Sequence, residues 1–155
     1  MALPERIEAV DRMRYWRDRI PLVYEYTAGV AGEKFLRGLQ EGRILCSRCP
    51  KCGRRYLPPK MYCVKCFRKV GTYREVGPLG TVSALTESYE EFDGSRRRKP
   101  QPMAYITFKG VTGGIVHRVS GRGLKVGSRV APRFKPRAAR KGSLLDIEEF
   151  RVARG

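Results

Sequence analysis

Two kinds of hydrophobic spacing divide the chain. An apolar residue recurs at every third position over residues 5–18, and this spacing predicts an amphipathic helix. The apolar positions of that segment are Ile7, Val10, Met13 and Trp16. A second helix is predicted over residues 31–40, with Phe35 and Leu39 on one face and Gly42 as its stop signal.

Beyond Gly71 the spacing changes, and short β-branched and aromatic runs alternate with Gly and Pro. The predicted strands cover residues 80–92, 103–109, 114–119, 129–135 and 146–152. Five strands without a helical pattern between them favour a small closed barrel, and the five-stranded OB-fold is the natural candidate. Gly113-Gly114 is predicted to be a hairpin turn, and residues 93–100 and 136–142 are predicted to be basic loops.

All five cysteines lie within residues 46–66, between the helical and the strand-rich parts. This density indicates metal ligands rather than a disulfide framework, since the chain shows no signal peptide. Three Cys-x-x-Cys pairs overlap there, formed by Cys46/Cys49, Cys49/Cys52 and Cys63/Cys66. A tetrahedral thiolate site needs two knuckles that approach from opposite sides, so the last pair must be one of them.

The residue that follows each of the two remaining pairs decides which pair forms the first knuckle. A backbone that turns tightly and aims N–H groups at the sulfur is permitted by Gly53, whereas Pro50 lacks an N–H. The predicted ligands are therefore Cys49, Cys52, Cys63 and Cys66. Cys46 is then expected to be a small buried hydrophobic residue.

One structural Zn²⁺ is the expected metal, because four thiolates fill a tetrahedron and leave no open position. The first knuckle, Cys-Pro-x-Cys-Gly, also occurs in rubredoxin, which binds iron, so iron is the alternative. The whole chain is thus predicted to be mainly β with an α-helical N-terminus. It would comprise a helical segment over residues 1–42, a rubredoxin-like zinc ribbon over 43–71 and an OB-fold domain over 72–155.

The formal net charge of +18 is spread evenly, with +9 on each side of residue 71, and predicts an acidic partner or ligand. Residues 43–69 contain nine basic residues and no acidic one. These cations could offset the charge of a zinc tetrathiolate, or they could form a face for a phosphate-bearing ligand; both interpretations stay open. The ligand-binding candidates are Arg54, Arg55, Tyr56, Lys60 and Tyr62.

The sequence contains no recognisable catalytic pair. Its single histidine, His117, lies in a predicted strand, where a packed or solvent-facing role is more common than that of a base. No run approaches the length of a membrane-spanning helix. We therefore expect a cytoplasmic protein that is not an enzyme by itself.

The order of motifs resembles a known family. After the helical start, the ribbon reads Cys-x-x-Cys-Gly-x-x-Tyr-x-Pro-Pro-x-x-x-Cys-x-x-Cys, with Pro58-Pro59 between the knuckles. Gly80-Thr-Val-Ser83 opens the predicted barrel and Gly127-Ser-Arg-Val130 lies late in it. In this order the chain is similar to the zinc-ribbon/OB-fold accessory proteins of thiolase-superfamily enzymes, a family first catalogued as a domain of unknown function.

This resemblance implies a non-catalytic subunit that scaffolds a thiolase-type catalytic partner and contributes to binding of acyl-CoA, while the catalytic residues lie on the partner. Under it, Tyr15, Trp16 and Phe35 are candidate anchors for that partner, although they could equally pack the helices onto the ribbon. The alternative is a protein that binds single-stranded nucleic acid. Its bases would stack on barrel aromatics, namely Tyr89, Phe92, Tyr105 and Phe108, although barrel aromatics are more often core residues.

Overall fold

The computed structural model describes residues 26–91 and 95–153, which form a mainly β structure with one α-helix among those residues. The helix is α1 (Gly29–Gln40). The strands are β1 (Leu45–Arg48), β2 (Arg55–Leu57), β3 (Thr72–Glu75), β4 (Gly80–Glu90), β5 (Arg96–Thr107), β6 (Thr112–Ser120), β7 (Arg129–Phe134) and β8 (Ile147–Val152). The helix predicted over residues 5–18 lies outside the described residues.

Helix α1 confirms the second predicted helix and its stop signal. Phe35 and Leu39 are buried on one face, as their spacing predicts. Gly42 follows the helix with a φ of 82°, a left-handed conformation that glycine adopts without steric penalty. The N–H groups of Gly42 and Arg43 donate to the carbonyls of Leu39 and Gly38, which ends the helix with its last carbonyls satisfied.

The five predicted strands are all present, as β4 to β8, and their pairing runs in a closed circuit. Strand β4 pairs with β5 and β7, β5 with β6, and β8 with both β6 and β7. Four of these pairings are antiparallel, whereas β6 and β8 are parallel. Each of the five strands therefore has a neighbour on both sides.

Strand β5 begins earlier than its hydrophobic pattern predicts. The predicted basic loop over residues 93–100 is wrong from Arg96 onwards, because that part of the segment pairs with β4. Arg97 donates to a carboxylate oxygen of Glu91 at 2.5 Å. Strand β6 pairs with β5 only from Met103, so Pro100 lies where β5 has a partner strand on one side alone, a position in which strands tolerate proline.

The ribbon strands join the five-stranded circuit directly. Strand β1 pairs with β2 and β3, and β2 runs parallel to β6 with Leu57 opposite Gly113. The predicted hairpin turn at Gly113-Gly114 is therefore wrong, since both residues lie within β6. A Cβ on Gly113 would lie 2.0 Å from the Leu57 carbonyl oxygen, so glycine is needed there for close approach of two backbones.

One hydrophobic core spans the helix, the ribbon and the five-stranded circuit. It includes Phe35 and Leu39 of α1, Cys46 of β1, Leu57 of β2 and Phe150 of β8. The complete burial of Cys46 confirms the expectation that it serves as a small hydrophobic residue. Within the described residues, no helix has both the length and the apolar character needed to cross a membrane.

Candidate metal centre and its basic surroundings

The predicted ligand set comes together at one end of the ribbon. The four sulfur atoms of Cys49, Cys52, Cys63 and Cys66 lie within 4.8 Å of one another. Sulfur separations across the two knuckles are 3.6 Å for both Cys49–Cys66 and Cys52–Cys63. A tetrahedral zinc with four sulfurs at about 2.3 Å requires sulfur separations of about 3.8 Å, so the cluster fits one Zn²⁺.

The two knuckles have the same backbone geometry. In the first, the N–H of Cys49 donates to the carbonyl of Arg54, and the N–H of Gly53 donates back to Cys49. The second repeats both bonds, with Cys63 donating to Arg68 and Phe67 donating to Cys63. The tight turn predicted at Gly53 is confirmed by its φ of 71°.

The side chain of Tyr56 is buried next to the metal site and does not belong to an exposed ligand-binding surface. Its side chain is 1% exposed, and its hydroxyl lies 3.2 Å from the sulfur of Cys63. The prediction that Tyr56 belongs to an open phosphate-binding face is therefore wrong. Because β2 pairs with β1, with Tyr56 opposite Ser47, the ring packs in the small cluster beside Cys49 and Cys63.

The pKa values of the thiols show why the cluster needs a cation. The hydrogen bond from Tyr56 lowers the pKa of Cys63 to about 5, whereas the hydrogen bond shared with Cys63 raises the pKa of Cys66 to about 12. Four sulfurs this close cannot all ionise without an opposing charge. A bound Zn²⁺ supplies that charge, and the four cysteines hold one structural zinc.

The other ligand-binding candidates occupy different environments. The side chains of Arg54, Lys60 and Tyr62 are exposed, and that of Tyr62 is 55% exposed. Arg55 is half-buried, and its Nε donates to the Gly110 carbonyl at 3.1 Å. Arg55 is thus already engaged in joining the ribbon to the segment before β6.

A basic cleft that the sequence reasoning missed lies beside the metal site. It has a volume of about 460 Å³ and is lined by Pro50, Lys51, Arg68 and Lys69. Lys51 belongs to the first knuckle, whereas Arg68 and Lys69 follow the second. The two knuckles therefore bring three cations together, and the repeated knuckle hydrogen bonds that place them could not be read from the linear order.

Among the partner-anchor candidates, Phe35 is 6% exposed and packs in the core. The prediction that Phe35 anchors a partner is wrong for this structure, and the packing alternative accounts for it. Tyr15 and Trp16 lie outside the described residues. His117 is also buried, with its Nε2 atom 3.2 Å from the Leu144 carbonyl oxygen, and burial lowers its pKa below the ordinary range.

Comparisons with known proteins agree with this geometry. The family described as ChsH2, rubredoxin-like zinc ribbon domain, matches residues 37–70. The search of curated proteins found no match to the chain. A solved structure titled Ltp2-ChsH2(DUF35) aldolase has the same fold, with a TM-score of 0.58 and 16% identity over 77% of this chain and 91% of that one.

A second solved structure is a protein of unknown function from the DUF35 family of Sulfolobus solfataricus. It is 31% identical to this chain, with a TM-score of 0.66, and the match covers 84% of this chain and 90% of that one. Identity at this level over nearly the full length of both proteins shows common membership. The chain belongs to the DUF35 family.

Proposed function

We propose that this chain is a non-catalytic accessory subunit of a thiolase-superfamily enzyme complex, where it helps to bind acyl-CoA and holds the catalytic partner. The observation that carries the proposal is membership of the DUF35 family together with the shared fold of the Ltp2-ChsH2(DUF35) aldolase, whose title pairs a DUF35 protein with a second protein. The rubredoxin-like ribbon supports the same assignment.

We also propose that strands β4 to β8 form an OB-fold, and their pairing supports this. Strands β4 to β8 each have two neighbours, and the order β4–β5–β6–β8–β7 returns to β4. This order of five strands is compatible with the five-stranded OB-type barrel that we propose. We propose this barrel for the part of the chain from β4 to β8. The ribbon extends beyond the predicted boundary at residue 71, because β3 pairs with β1.

Two features support a non-catalytic role. The zinc coordination sphere is filled by four thiolates, so the metal has no free position for water or substrate. The only histidine of the chain, His117, is buried and has its Nε2 beside a backbone carbonyl, so its ring is not presented on the surface. The acyl-transfer or carbon–carbon bond chemistry would then depend on residues of the partner.

The basic cleft is the part of the surface best suited to the nucleotide end of CoA. CoA carries a pyrophosphate and a 3′-phosphate, and clustered Lys and Arg side chains bind such groups through charge-assisted hydrogen bonds. Lys51, Arg68 and Lys69 supply three cations at the cleft, and Arg54 and Tyr62 are exposed on the same ribbon. We therefore add Lys51, Arg68 and Lys69 to the predicted Arg54, Lys60 and Tyr62. Arg55 and Tyr56 are left out, because their side chains are engaged elsewhere.

Co-purification of the tagged chain from its native source tests the proposal. We expect a thiolase-type protein in stoichiometric amount, identified by mass spectrometry, and we expect its acyl-CoA turnover to fall when the chain is removed. Calorimetric titration of the purified complex with CoA should give tight binding that Lys51→Ala or Lys69→Ala weakens. Purification without any thiolase-type protein would refute the proposal.

Binding of single-stranded nucleic acid is the second candidate, favoured by the exposed aromatics of the barrel strands. Tyr89 of β4 is 58% exposed and Tyr105 of β5 is 36% exposed, whereas Phe108 is buried in the core. Phe92 lies outside the described residues. Binding of single-stranded DNA that persists at physiological salt and is lost in Tyr105→Ala would favour this candidate.

A further inference from the structure

The two knuckles differ at the position that follows their second cysteine, and that difference has a conformational cost. Gly53 follows the second cysteine of the first knuckle with a φ of 71°, and Phe67 holds the same position in the second knuckle with a φ of 52°. Among the described residues, Phe67 is the single non-glycine residue with positive φ. Such a conformation is strained for a side chain with a Cβ, and glycine would relieve the strain.

The strain at Phe67 is not offset by burial of its ring. The side chain of Phe67 is 81% exposed, and that of Val64, in the same turn, is 54% exposed. We call these two residues the second-knuckle tip. An exposed aromatic ring on a strained backbone contributes nothing evident to folding, and residues of this kind concentrate at binding sites.

We propose that the second-knuckle tip is a docking site for a partner protein, in which Phe67 enters an apolar pocket surrounded by acidic side chains. The proposal rests on the proposed function, because the partner in question is the thiolase-type catalytic subunit. Phe and Tyr are enriched in the buried centres of protein interfaces, where a few aromatic anchors carry most of the affinity.

Charge complementarity defines the chemistry of the surrounding rim. Residues 43–69 carry nine basic side chains and no acidic one, and Lys65 lies next to Val64 in the turn of the tip. A partner surface with acidic residues around an apolar pocket would satisfy both features. The exposed aliphatic side chain of Val64 favours a protein over a nucleic acid, because a base stacks on an aromatic ring but does not cover an isolated aliphatic group.

The fixed geometry of the knuckle makes the tip suitable for docking. Phe67 N–H donates to the Cys63 carbonyl at 2.9 Å, and Cys63 N–H donates to the Arg68 carbonyl at 2.9 Å. Cys63 and Cys66, the first and fourth residues of the turn, are metal ligands. The ring is thus presented from a backbone that the zinc holds in place, which reduces the entropy lost on binding.

Phe67→Gly provides a test in which stability and binding are expected to change in different directions. Glycine already occupies the equivalent position of the first knuckle, so the variant should retain one zinc per chain and unfold at the same or a higher temperature. Val126→Ala is the matched control, because Val126 is 58% exposed in the turn between β6 and β7. Binding to the purified thiolase-type subunit is measured for wild type and both variants by surface plasmon resonance.

We expect Phe67→Gly to weaken binding at least about tenfold and Val126→Ala to change it less than about twofold. Raising the salt from about 50 mM to about 500 mM should weaken wild-type binding, as an acidic rim on the partner requires. Equal binding by wild type and Phe67→Gly would overturn this inference while leaving the proposed function intact. Failure of the wild type to bind the subunit would overturn both, and selective loss of single-stranded DNA binding in Phe67→Gly would reassign the tip to nucleic acid.

Discussion

The hydrogen bond between Tyr56 and Cys63 provides a quantitative test of the metal site. The Tyr56 hydroxyl lies 3.2 Å from a ligand sulfur, and the ring is 1% exposed within the small cluster beside the metal. Replacing Tyr56 with Phe removes only the hydroxyl and leaves the packed ring in place. The zinc-bound sulfur of Cys63 then loses a donor, while no buried donor is left without an acceptor.

Two independent magnitudes predict the size of the effect. A hydrogen bond to a charged group contributes about 1.5–3 kcal/mol. Loss of a partner that hydrogen-bonds a metal ligand lowers metal affinity about 10–100-fold, which corresponds to about 1.4–2.7 kcal/mol. Because the two ranges agree, we expect Tyr56→Phe to reduce zinc affinity about 10–100-fold. Since zinc binding contributes to folding of the ribbon, its unfolding free energy should fall by a similar amount at limiting zinc.

Competition with a chromophoric zinc chelator at neutral pH measures this affinity directly. Tyr62→Phe is the matched control, because Tyr62 lies on the same ribbon but is 55% exposed, and it should bind zinc like the wild type. If Tyr56→Phe retained zinc affinity within about twofold of the wild type, the hydrogen bond to Cys63 would contribute little, and the assigned role of Tyr56 would be wrong.

Three further predictions concern zinc content and stability. Cys52→Ser should lose zinc and unfold the ribbon, whereas Cys46→Ala should retain one zinc per chain by atomic absorption, since its sulfur lies in the main core. Asp146→Asn should cost about 2 kcal/mol and lower the thermal midpoint about 5 °C by circular dichroism, because the buried carboxylate accepts three backbone N–H bonds that an amide cannot all accept. For His117, burial lowers the pKa below the ordinary value of 6.5, so the unfolded chain binds the proton first. Stability should therefore fall as the pH drops below about 6.5, by at most about 1.4 kcal/mol per pH unit, and His117→Phe should flatten that dependence in denaturant titrations.

Each of these predictions has an outcome that contradicts it. Loss of metal in Cys46→Ala would show that the ligand set is misassigned. For Asp146, burial alone would raise the pKa, but the three N–H donors of Lys141, Ser143 and Gly142 lower it, so the carboxylate is charged at neutral pH. A thermal midpoint of Asp146→Asn equal to that of the wild type would contradict this reasoning. An identical slope of stability with pH in wild type and His117→Phe would show that another group titrates.

Local sequence signals predicted much of the fold correctly. Each of the five strands predicted beyond Gly71 is present, because alternation and Gly or Pro punctuation are properties of neighbouring residues. The choice of Cys49 over Cys46 followed from Gly53 and Pro50, and the sulfur cluster agrees with it. These features depend on the backbone within a few residues, which is what a single sequence describes.

Features that depend on distant pairing were not predictable in this way. Gly113 is required because the backbone of Leu57, from a different part of the chain, runs parallel to β6 at very short distance. Tyr56 was assigned to a ligand face because the sequence shows an aromatic among cations but not the direction of its side chain. Only the pairing of β2 with β1 turns Tyr56 towards Cys63.

Phe67 shows a signal that was present in the sequence but needed the structure for its interpretation. The second knuckle lacks the glycine that follows the first, and by itself this absence reads only as a less regular turn. The structure shows that the turn is the same, since both knuckles make equivalent hydrogen bonds and both residues have positive φ. Phe67 in the second knuckle, where the first has glycine, therefore changes the side chain that the turn presents to solvent but not the backbone of the turn. Zinc makes this possible, because ligation by Cys63 and Cys66 within the turn supplies the free energy that a strained, exposed phenylalanine does not.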